Sequence, residues 1–180
     1  MTRTHIAYLI LIVLECAILV LGRPAMAAPK REKRPDLASV RGESRSPRIE
    51  GELPTRVAFL LRASQSVAER SLKRHASCRG LFIEFGTTAE EILPVIRYAR
   101  ASGDNGRRLC GRGNVSAYVG LGTGKTWICL ENFSALNRYE AAMVVLHEAL
   151  HHAGLSEWPV DPEAPKSSDI NNMVRRACHL

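Results

Sequence analysis

The sequence predicts an α+β domain over residues 55–180, with a small sheet, a histidine-bearing helix and a C-terminal helix. Three patterns carry that expectation. A 3.6-residue apolar repeat opens at Thr55, β-type runs flank the glycine-rich stretch at 120–124, and His147-Glu148-Ala149-Leu150-His151 lies inside an otherwise apolar helical segment.

The chain opens with a segment that does not belong to that domain. Arg3 precedes an almost wholly apolar run from Ile6 to Gly22, and Ala25-Met26-Ala27 has the small-x-small form of a signal-peptidase site. Residues 1–27 are therefore expected to be a signal peptide cleaved after Ala27, giving a secreted or periplasmic protein. The apolar run falls short of the ~20 residues of a spanning helix, so no membrane association is expected after cleavage. Residues 28–54, beginning Ala28-Pro29-Lys30-Arg31-Glu32-Lys33-Arg34-Pro35, have too few large apolar groups to offset their ordering entropy and read as a disordered linker. A prosegment is the alternative, although no cysteine lies between Ala28 and Ser77 to serve as an inhibitory ligand.

Within the domain, Val57, Leu60, Leu61, Ser64, Val67, Ala68, Ser71 and Leu72 trace one face of a long helix. His75 suits the negative end of that helix's dipole better than a ligand role. Leu81-Phe82-Ile83-Glu84-Phe85 reads as a short strand. Thr87 or Thr88 with Glu90 or Glu91 makes a capping box for a second helix through Ile92, Val95, Ile96 and Ala99, ending at Ser102-Gly103. Residues 104–113 read as a polar loop, and 115–120 and 126–131 as two strands of a hairpin. Gly124-Lys125-Thr126 is not a phosphate loop: the motif needs glycine where Val119 stands and a helix where Trp127-Ile128-Cys129-Leu130 is strand-like. The helix bearing His147 starts near Arg138. A proline-rich turn at 161–165 leads to Ser167 or Ser168 as the cap of a last helix through Ile170, Met173, Val174 and Ala177.

On an α-helix, His147 and His151 lie about 40° apart and Glu148 about 100° from His147, so all three share one side of the cylinder. A buried carboxylate between two imidazoles needs a partner, and a divalent cation fits these groups best. Two neutral imidazoles one turn apart can hold Zn²⁺ at ~2.0–2.1 Å, leaving a position for water. A catalytic zinc takes a third protein ligand. Glu157 is the first choice, with Asp161, His152, Asp169 and His179 as competitors. His152 points too far round the helix to join its neighbours.

The segment His147-Glu148-x-x-His151-x-x-Gly154 resembles the zinc helix of zincin metallopeptidases. It is metzincin-like through Gly154 and departs at Glu157, which stands where that pattern has its third histidine. Gly154, Leu155, Glu157, Pro159 and Cys178 further resemble the ending of small exported bacterial proteins with a zincin-like helix. The resemblance covers about the last fifty residues. It implies a zincin-like α+β fold and a bound metal, and no substrate. Taken with the residue chemistry, the expectation is a zinc-dependent hydrolase cleaving an amide bond, with His147, His151 and Glu157 as Zn²⁺ ligands and Glu148 as general base. By the same resemblance, the strand just before the zinc helix, 126–131, could be the sheet edge on which an extended substrate pairs. Tyr118 and Tyr139 are candidate transition-state donors.

The partner expected is a peptide or another amide. Removing Arg3, Arg23 and Glu15 with the leader takes the net charge from +7 to +6, with much of the excess in the linker, and this modest balance gives no support for nucleic-acid binding. Cys78, Cys110, Cys129 and Cys178 predict two disulfides in an exported chain, and Cys129–Cys178 with Cys78–Cys110 is the pairing expected. No Cys-x-x-Cys spacing points to thiolate zinc ligands. The competing functional class is an exported binding or structural protein whose metal only ties the last helices together.

Overall fold

The computed structural model describes residues 46–120 and 123–180, which belong to a unit spanning Gly42–Leu180. The expected signal peptide, its cleavage point, most of the linker and the tip of the glycine-rich hairpin lie outside the described residues. The first element corrects the linker reading. Arg48–Glu50 forms a strand, β1, whose Glu50 binds Arg97 and Lys125, and Ile49 and Leu53 pack against the core. A short, charged strand of this kind is poor in apolar signal because its order comes from partners far along the chain.

Helix α1 (Thr55–Arg74) follows the predicted repeat and buries Val57, Leu61, Val67, Ala68 and Leu72. Next comes a correction: residues 81–85 are not a strand. Helix α2 (Ala76–Ile83) runs into this stretch, and Phe85 N–H and Gly86 N–H close it with turn bonds to Phe82 and Ile83 carbonyls. An apolar run of five residues fits either structure by pattern alone. Here the helix wins because Cys78 and Phe82, one turn apart, both become fully buried.

The Thr88–Glu91 capping box is present, but the helix it starts is brief: α3 (Ala89–Ile92) passes into a 3-10 turn at Leu93–Val95. Pro94 cannot donate to a continuing helix. The chain then extends into β2 (Arg97–Arg100), where Tyr98 and Ala99 are buried. The predicted loop at 104–113 contains α4 (Gly103–Cys110). Strands β3 (Ala117–Gly120) and β4 (Lys125–Ile128) make the expected hairpin, although Leu130 and Glu131 belong to a short helix, α5 (Leu130–Ser134). Helix α6 (Arg138–Ala153) carries the His-Glu-x-x-His sequence, and α7 (Ser167–Cys178) follows the proline-rich turn.

The described residues thus form seven α-helices and a mixed four-stranded sheet in the order β1-β2-β4-β3. The first three neighbours are parallel and β3 is antiparallel to β4. Helix α6 packs along α1 and also meets β3 and α7, so its apolar sides disappear into one core with Leu61, Phe82, Tyr98, Ile128, Phe133 and Ile170. No helix among the described residues is long and apolar enough to cross a membrane.

Two disulfides are present, as the cysteine count predicts, with partners exchanged. Cys78 bonds Cys178 and Cys110 bonds Cys129, at Cα separations of 4.6 and 5.2 Å. The reason is the packing of α2 on α7, which brings Cys78 to the last residue of α7, while α4 ends beside the exit of β4. Such bonds fit an oxidising compartment.

Candidate metal centre

Helix α6 is built to hold its last turns rigidly. Asn137 caps it, accepting from Tyr139 and Glu140 N–H groups, while the Glu140 side chain accepts from Asn137 N–H. Nine residues between Ala141 and Leu150 are buried, including His147 and Glu148. At the other end Gly154 adopts φ +117, a left-handed conformation that L side chains rarely adopt. That turn redirects the chain so that Leu155 C=O and Glu157 come back over the helix end.

The result is a cluster of three ligand-type atoms. His147 Nε2 lies 2.9 Å from His151 Nε2, which lies 3.0 Å from Glu157 Oε2, and His147 Nε2 to Glu157 Oε2 is 3.6 Å. Metal bonds of ~2.0–2.1 Å at tetrahedral angles separate ligand atoms by about 3.3 Å, a value these distances bracket. His147, His151 and Glu157 are the group among the described residues able to hold a metal ion.

Hydrogen bonding on the far side of each ring fixes the chemistry of the near side. His147 Nδ1–H donates to Asn171 Oδ1 at 2.7 Å, and His151 Nδ1–H donates to Leu155 C=O at 2.8 Å. A neutral imidazole with its proton on Nδ1 has a bare lone pair on Nε2. Two nitrogen lone pairs and a carboxylate oxygen therefore converge on one point. Three acceptors facing one another repel unless a cation, or a proton, sits among them.

The titration behaviour follows from that geometry. Burial pushes His151 down, but its bond to Glu157, its bond to Leu155 and the nearby Glu148 charge outweigh this and raise it. Burial pushes Glu157 up, yet its contacts with the His147 and His151 rings and the His147 charge hold it well below the usual carboxylate range. Glu148 goes the other way. Burial raises it, opposed by His147 and His151 and reinforced by Glu157, and its Oε2 is buried without a hydrogen-bond partner.

The competing ligands are engaged elsewhere. Asp161 Oδ1 accepts from Glu163 N–H, Asp169 caps the start of α7 by accepting from Lys166 N–H, and His179 stacks on His75 at 4.2 Å. His152 Nε2 is 3.0 Å from the fully buried Thr126 hydroxyl. Burial, then the His151 charge, depress His152 to about 4. Between the ordinary histidine value and about 4, the unfolded chain binds a proton that the folded chain refuses, so stability present at neutral pH is lost as pH falls through this window. His152→Gln, which can still bond Thr126, is expected to flatten the decline in Tm between pH 7 and 5. His151 has the opposite sign in metal-free protein, so the two proteins should be compared at each pH. Equal slopes would show that His152 is not the group responsible.

The cluster opens into a cleft of about 630 Å³ lined by residues 114–119 and by the side of α6 that carries His147 and Glu148. The edge of the sheet here is β3, and β4 is internal, which corrects the expected role of 126–131. Cys129 N–H donates to Ser116 C=O, making these two a hydrogen-bonded pair. Alternation along the ladder then turns Tyr118 and Gly120 backbone groups toward β4 and leaves those of Ala117 and Val119 facing outward. Leu109, Val115, Leu136, Met143 and Val144 form an apolar wall toward the N-terminal half of α6. Asn132 ties that wall down by donating to both Cys110 and Val115 carbonyls. Tyr118 lines the cleft, whereas Tyr139 is half-exposed at the start of α6 and Met173 packs against the core.

Sequence reasoning missed Asn171, which supports His147 from α7. Comparison with protein-family models, curated proteins and solved structures returns no match.

Proposed function

We propose that this chain is an exported zinc-dependent hydrolase, a metallopeptidase of zincin-like fold that cleaves an amide bond. The observation that carries the reading is the convergence of His147 Nε2, His151 Nε2 and Glu157 Oε2, with both Nδ1 protons committed elsewhere. Two histidines and a glutamate are a known ligand set of catalytic zinc, with the fourth position left to water. The orphaned Glu148 Oε2 beside this group fits a site whose remaining partner is that water. Export fits the disulfides and the apolar leader expected at 1–27.

When bound, zinc supplies Lewis acidity, lowering the pKa of water and polarising a carbonyl. Glu148 accepts the proton of the attacking water and delivers it to the leaving amine. A carboxyl raised by burial is a better acceptor for this task than an exposed one, because a general base works best with its pKa near the operating pH. Asn171 and Leu155 C=O keep both imidazole tautomers fixed. By resemblance to zincins, an extended substrate would pair with the outward backbone groups of Ala117 and Val119. The wall of Leu109, Val115, Leu136, Met143 and Val144 suits an apolar side chain next to the cleaved bond, because no charged residue belongs to it.

The test is to incubate the purified protein, after measuring its zinc content, with a defined peptide mixture and identify products by mass spectrometry. One zinc per chain and chelator-sensitive cleavage beside apolar residues are expected. Stoichiometric zinc with no cleavage of any amide substrate would return the site to a structural role, and a folded chain that takes up no zinc would remove the metal reading altogether.

A further inference from the structure

We propose that Asn171, on α7, is a positioning residue that sets the metal affinity of the centre. The inference rests on the metal reading above. Asn171 lies on the side of α7 that lines the cleft. From there Asn171 Oδ1 accepts the His147 Nδ1 proton at 2.7 Å. Helix α7 thus orients a ligand carried by α6.

The contact has a defined physical task. Without the Asn171 carbonyl, His147 is free to carry its proton on Nε2, the tautomer that cannot bind a metal, and its ring is free to turn. Asn171 is partly buried and its carbonyl points to His147 rather than to a neighbour on its own helix. The pose of α7 is itself fixed, because Ile170, Val174 and Cys178 are fully buried and Cys178 is bonded to Cys78 on α2.

Outer partners of metal-bound histidines typically change metal affinity by about 10–100-fold when removed. The experiment measures zinc affinity of the full chain at one pH by competition with a chromophoric chelator, with circular dichroism to verify folding. Asn171→Ala is expected to weaken zinc binding about 10–100-fold. Asn171→Asp, which keeps an oxygen acceptor in the same place, is expected to restore wild-type affinity or exceed it. The comparison with Asn171→Asp separates acceptor chemistry from general damage to α7. Wild-type affinity in Asn171→Ala, or equal weakness in Asn171→Ala and Asn171→Asp, would overturn the positioning role and leave the metal centre standing. Failure of the wild type itself to bind zinc would overturn both.

Discussion

Glu148→Gln is expected to keep its zinc and lose hydrolysis by about 10²–10⁴-fold, the range general-base catalysis contributes. The two side chains have nearly the same shape, and Glu148 is outside the ligand cluster of His147, His151 and Glu157, so metal binding has no reason to change. What changes is the capacity to accept a proton. The same substitution removes a buried carboxyl whose ionised form is disfavoured by its surroundings, so Tm should be unchanged or higher. Rate and stability are thus expected to move independently, as they do not when a variant merely damages the fold. A Glu148→Gln protein with normal zinc content and the wild-type rate would eliminate Glu148 as the base.

His147→Ala is expected to abolish stoichiometric zinc binding and with it the stabilisation that the metal confers. A ligand that binds only the folded state adds about 4 kcal/mol when its free concentration is a thousand times Kd. Wild-type Tm should therefore fall sharply on chelation, while His147→Ala should unfold at one temperature with or without chelator. The substitution also leaves Asn171 Oδ1 without its donor. Comparing each protein with itself, with and without metal, cancels that secondary cost. Identical chelator shifts in both proteins would mean that His147 is not a ligand.

The parts of this molecule that were legible in the sequence are those decided by neighbours. Helices α1 and α6, the β3–β4 hairpin and the capping box at Thr88 depend on periodicity, turn residues and caps within a few positions. The candidate ligands were legible for the same reason. His147 and His151 are one turn apart, and Gly154 turns Glu157 back over them, so the cluster is assembled within a single short segment. Choices made by distant contacts were not legible. The run at 81–85 became helical because Phe82 and Cys78 are buried together in the core against distant elements, and Arg48–Glu50 is a strand because Arg97–Arg100 lies alongside it. Disulfide partners depended on which helix ends meet, and the identity of the edge strand on sheet order. Asn171 escaped notice because an asparagine acquires meaning only from the His147 ring twenty-four positions earlier.

The nesting of the two disulfides bears on how the molecule would respond to cleavage. The Cys78–Cys178 bond spans 100 positions and encloses the Cys110–Cys129 bond, the sheet strands from β2 onward, and the helix carrying His147. A protease nick at any single peptide bond between these outer cysteines leaves two fragments that remain one covalent molecule. Such a cut would be invisible on a non-reducing gel, appearing as two bands only after reduction. The fold therefore tolerates single cuts in this span, since the pieces cannot diffuse apart.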